Sequence, residues 1–124
     1  MENDASKYFI NAAQKLNQAS KELFKPEDDI VTYLVCKNSQ YAIENYLKGY
    51  LLKNEVDTTE YETIENLYEQ CKKLNKKFEK VSLVGFDCKA HNLDSRYCNE
   101  VTKINNCFDI ADSLDTFLRK EKII

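Results

Sequence analysis

Two side chains in this sequence have the chemistry to act on a phosphodiester: His91, its only histidine, and Arg96, one of two arginines. An imidazole moves protons near neutral pH, and a guanidinium grips a phosphate through two parallel hydrogen bonds, which together are the minimum for cleaving or holding RNA. On a helix, His91, Asp94 and Ser95 would share a face through offsets of three and four residues. The structural alternative is the stronger one: His91 is a surface or capping residue, and Arg96 bonds helix-end carbonyls at a corner. No second catalytic base is identifiable. Cys88 and His91, followed by Cys98 and Cys107, are zinc-ligand types, but the second pair lacks the tight spacing by which one loop presents two ligands. Neither a metal nor a cofactor is therefore expected. The five cysteines, Cys36, Cys71, Cys88, Cys98 and Cys107, read as reduced, buried side chains without a disulfide framework. A glycine-rich phosphate loop, a Gly-x-Ser-x-Gly elbow and a His-Glu-x-x-His pair are all missing from the sequence.

The elements that must position these residues are helices. The 124 residues contain two glycines and one proline, too few special-φ residues to turn the corners of an all-β fold. One domain over residues 1–124 is the expectation from length. A net charge of −3 argues against bulk coating of nucleic acid. The cluster Lys72, Lys73, Lys76, Lys77 and Lys80 reads as a solvated helix surface. Neither a cleavable leader pattern nor an apolar run of membrane-spanning length occurs, so the chain is expected in the cytoplasm and away from membranes.

Apolar spacing predicts a first helix over 4–24, on the stripe Phe9, Ala12, Ala13, Leu16, Ala19 and Leu23. A second helix is expected from Pro26 to about Asn54, with Glu27, Asp28 and Asp29 in its first turn. Its inner face is Ile43, Tyr46, Leu47, Tyr50 and Leu51, continued backward by Ile30, Leu34, Val35 and Ala42. Gly49 inside this pattern points to a close helix contact. Thr59 and Glu62 read as a capping box that starts a third helix, running to about Lys80 with Leu74 and Phe78 inward. A short helix is expected over 87–94, then a last one from an Asn99 cap to about Lys122. The product is an all-α, antiparallel up-and-down bundle of four to five helices.

The run from Asn38 to Leu51 resembles the "QA-x-E-K-x-L-K-A" helix of HEPN-domain proteins, through Gln40, Ala42, Glu44, Leu47 and Lys48. The stretch from Asp94 to Cys98 resembles the family's Arg-Tyr-Pro corner, with Cys98 where proline is common; Asn45 and Gly49 also depart. The resemblance implies a small bacterial or archaeal helical bundle, often a homodimer and often paired with a minimal nucleotidyltransferase, as in toxin–antitoxin systems. It also implies metal-independent ribonuclease activity where an arginine is followed, after four to six residues, by a histidine. Here those positions hold Val101, Thr102 and Lys103, and the lone histidine lies upstream of Arg96. The expectation is a non-catalytic module that dimerises and binds a nucleotide, RNA or a protein partner through Arg96, Tyr97, Lys48 and Glu44. The alternative is a divergent ribonuclease using His91 and Arg96.

Overall fold

The computed structural model describes residues 2–59, 63–83 and 101–124. Among them are four α-helices: α1 (Glu2–Leu23), α2 (Thr32–Lys53), α3 (Ile64–Leu74) and α4 (Val101–Lys120). Short 3-10 turns occupy Glu27–Asp29 and Lys76–Lys80, and the described residues contain no strand. The fold is all-α, as the periodicity required. The helix expected over 87–94 and the Asn99 cap lie outside the described residues.

Helix α2 is the hub, packing on α1, α3 and α4. Its inner residues Ile43, Tyr46, Leu47 and Leu51 are fully buried among Leu67 and Cys71 of α3 and Ala111, Leu114 and Leu118 of α4. Tyr46 bonds Asp115 and Lys53 bonds the Ile123 carbonyl, so positions rise together and α2 runs parallel to α4. Helix α1 returns alongside α2 through a short connection, the antiparallel hairpin of an up-and-down bundle.

Ala5, Ala12 and Ala19 of α1 are buried at seven-residue intervals, so the face towards α2 carries little bulk. At Gly49 the helices come closest. A Cβ built there would stand 2.8 Å from the Phe9 ring, inside van der Waals contact. Gly49→Leu should therefore displace Phe9 and cost about 1–3 kcal/mol through overpacking, read as a lower urea midpoint. An unchanged midpoint would show that the ring swings aside freely.

Three boundaries differ from expectation. The second helix begins at Thr32 rather than Pro26, because Asp29 N–H donates to the Pro26 carbonyl at 2.7 Å and closes a 3-10 turn. The start of α2 is then fixed from outside the local sequence: the carboxylate of Glu22 in α1 accepts the Val31 N–H at 3.0 Å and pairs with Lys25 at 3.0 Å. The Val31 hydrogen bond, aided by Lys25, holds the Glu22 carboxyl below the usual range. The cap of α3 is Thr63, which accepts the Asn66 N–H at 3.1 Å, rather than Thr59. Starting there turns Ile64, Leu67, Tyr68 and Cys71 inward. Finally, α3 stops at Leu74, which is left exposed, and Asn75 caps a 3-10 turn by accepting the Lys77 N–H at 3.0 Å. That turn delivers Phe78 to the core, where it meets Tyr50 and Phe117 edge-to-face at 4.7 and 4.9 Å.

The cysteine expectation also needs correction. Cys71 is a reduced thiol, but Cys36 is disulfide-bonded. Scattered sequence spacing hides such a bond, because a disulfide requires only that folding bring two Cβ atoms to about 3.5–4.5 Å.

Candidate functional site

The outward side of α2 gathers the charged members of the expected site. Glu44 and Lys48 stand one turn apart and form an ion pair, Nζ to Oε1 at 3.0 Å, with side chains 21% and 25% exposed. Glutamate four residues before lysine is the favourable order on a helix, contributing about 0.3–0.5 kcal/mol when exposed. The pair's larger effect is positional. It fixes an ammonium that retains N–H donors for another acceptor. Nearby on the same helix, Lys37 lies 5.6 Å from the Tyr33 ring centre and 5.9 Å from that of Tyr41, while Lys15 of α1 lies 5.7 Å from Tyr41. Cation–π contacts of this kind hold the lysine heads near ring faces. Each of these lysines is thus held by a ring face or by a carboxylate.

A second polar set joins α2 to α4. The Tyr46 hydroxyl donates to Asp115 Oδ1 at 2.6 Å, and Arg119 Nε donates to both oxygens of the same carboxylate at 3.0 Å. Burial, and then the Asp115 carboxylate, push the Tyr46 phenol far above its ordinary range. The Arg119 guanidinium is raised by its bond to Asp115. Asp115 and Arg119 border a cleft of about 280 Å³ between α1 and α4, with Asn17, Ser20, Phe108 and Asp112. A phenol that keeps its proton and a carboxylate committed to two donors make an anchor. They do not supply a general base.

A model of the HEPN domain matches residues 6–121. The chain belongs to the HEPN-domain family. No curated protein and no solved structure matches it. HEPN membership carries a nucleotide- or RNA-related role at the level of the family.

In this HEPN chain the structure brings Glu44 and Lys48 together. Arg96, Tyr97 and His91, with Cys88 and Cys98, lie outside the described residues. Among the described residues no group of three or more His, Cys, Asp or Glu side chains could hold a metal ion. Likewise, no helix there is long and apolar enough to cross a membrane. The Tyr46–Asp115–Arg119 anchor is not among the residues that the sequence motifs single out. Its local signal was available, since Arg119 is the other arginine and follows an acid by four residues, but its buried phenol comes from 69 positions upstream.

Proposed function

We propose that this HEPN chain is a non-catalytic module that pairs with a second copy and binds RNA or a nucleotide. In this reading a protein such as a minimal nucleotidyltransferase is its partner. The observation that carries the reading is the ion-paired, half-buried Lys48 on the outward side of α2, in a chain whose only histidine precedes Arg96. Lys48 and Arg96 take the phosphate, Glu44 orients Lys48, and Tyr97 offers a ring for a base. Val101, Thr102 and Lys103 occupy the places from which a histidine would serve the reaction, so binding outlasts cleavage.

Fluorescence anisotropy with a labelled RNA oligomer, free of metal, tests this reading. Lys48→Ala and Arg96→Ala should each weaken binding on the order of tenfold and reduce the slope of log affinity against log salt by about one. Binding unchanged in both variants would sink the assignment of these residues. Metal-independent cleavage that disappears in His91→Ala would replace the module with a ribonuclease.

A further inference from the structure

A mostly apolar cavity of about 530 Å³ opens where the first turns of α1 meet the end of α2 and the residues that follow α4. Its size is that of a small-molecule site. Phe9 and Ile10 of α1, with Ile123 and Ile124 beyond α4, supply the apolar lining, and the small, buried side chain of Ala5 leaves the space between them. The walls are held from behind. Gly49 lets the Phe9 ring lie close against α2. After α4 the chain turns back at Lys122, whose φ of 59° is left-handed. The Ile123 N–H then donates to the Leu118 carbonyl at 2.8 Å, while Lys53 Nζ, at the end of α2, donates to the Ile123 carbonyl at 2.9 Å. Ile10 lines this cavity yet remains 58% exposed, an apolar side chain that the bundle leaves uncovered.

We infer that this cavity binds a small monocarboxylate with an apolar body, of the medium-chain fatty-acid class. Charge complementarity selects the head group. Among the described residues the Lys53 ammonium is the only charged side chain that lines the cavity, and no carboxylate pairs with it. Its bond to the Ile123 carbonyl uses one of three N–H donors, so two are left for a ligand. The Ser6 hydroxyl lines the same cavity and is a further donor. One positive charge with one hydroxyl matches the single charge and two oxygens of a carboxylate. A phosphate dianion would keep an uncompensated charge in mostly apolar surroundings, and a cation would meet the ammonium directly; both are costly. The apolar body covers Phe9, Ile10 and the two isoleucines, removing their surface from water. Because the walls come from α1, α2 and the residues after α4, the bound ligand ties three parts of the chain together and favours the folded form. None of these residues belongs to the set proposed for RNA, so neither reading stands on the other.

Isothermal titration calorimetry of the full chain with sodium octanoate, near neutral pH and below its micellar concentration, tests the site. Octanol and octyltrimethylammonium serve as neutral and cationic probes with the same body. Octanoate should bind once per chain and raise the melting temperature, octanol should bind on the order of tenfold more weakly, and the cation should not bind. Lys53→Met should lose about that tenfold for octanoate while its affinity for octanol stays unchanged, a sign that the cavity survives the substitution. Lys53→Arg should keep most of the octanoate affinity. Ile10→Glu, at an exposed position that the fold tolerates, should remove binding of both probes. A wild type that does not bind octanoate overturns the site. So does uptake of many octanoates per chain, or of the cation as readily as the anion, because either marks adsorption on the surface. Equal octanoate affinity in the wild type and Lys53→Met overturns the assignment of the head group to Lys53.

Discussion

Replacing Phe78 with alanine should cost about 3–5 kcal/mol, a large share of the stability of a domain this size, seen as a steep fall in the urea midpoint. The ring is fully buried although it sits on a five-residue 3-10 turn rather than a long helix. Its edge contacts with Tyr50 and Phe117 connect α2 to α4, and such pairs add about 0.5–1.5 kcal/mol beyond the area they bury. The turn is clamped from beneath, because the Tyr68 hydroxyl donates to the carbonyls of Phe78 and Val81. A cavity at Phe78 therefore cannot be filled by collapse of the turn without breaking that clamp. A loss below about 1 kcal/mol would show that the turn gives way and the aromatic cluster is not a keystone.

The second large effect belongs to Asp115. Asp115→Ala leaves the fully buried Tyr46 hydroxyl with no acceptor, a penalty of about 1–3 kcal/mol. Adding Tyr46→Phe removes the orphaned group, so the double variant should be more stable than the sum of the single losses predicts. A strictly additive pair would mean the 2.6 Å contact carries no coupling. The pH dependence follows from the same bond. The folded protein holds the Tyr46 proton well above the ordinary phenol value of 10.0, so its contribution is complete below that pH and drains away as pH rises past it. Tyr46→Phe should flatten the alkaline limb of stability against pH. Part of the slope should remain, since burial also raises Tyr68.

The helices were legible because each buries one stripe, and stripe spacing survives in the sequence. Ile43, Tyr46, Leu47, Tyr50 and Leu51 are all buried, as the period demanded. The errors share a cause: in each, a distant group overruled a local signal. Pro26 with its three acids made a sound helix start, but Glu22, nine residues before Val31, set the start of α2 instead. Thr59 offered a better capping box than Thr63, yet the later start faced Ile64 into the core. Leu34 matched the inner period and lies outside, because a stripe on the edge of the apolar arc does not reveal which neighbour will cover it. The site was half legible. Glu44 and Lys48 were named from a motif on one helix and are joined by an ion pair. The Asp115 anchor needed a tertiary contact that no spacing rule encodes.

Cys71 carries a consequence for measurement. Its thiol is enclosed, donates to the Leu47 carbonyl at 3.6 Å, and is pushed by burial far from the thiolate form. Alkylating reagents attack thiolates, so labelling at this position must wait until α3 parts from α2. The rate of labelling at Cys71 therefore clocks that separation from within the native ensemble, with no substitution in the chain.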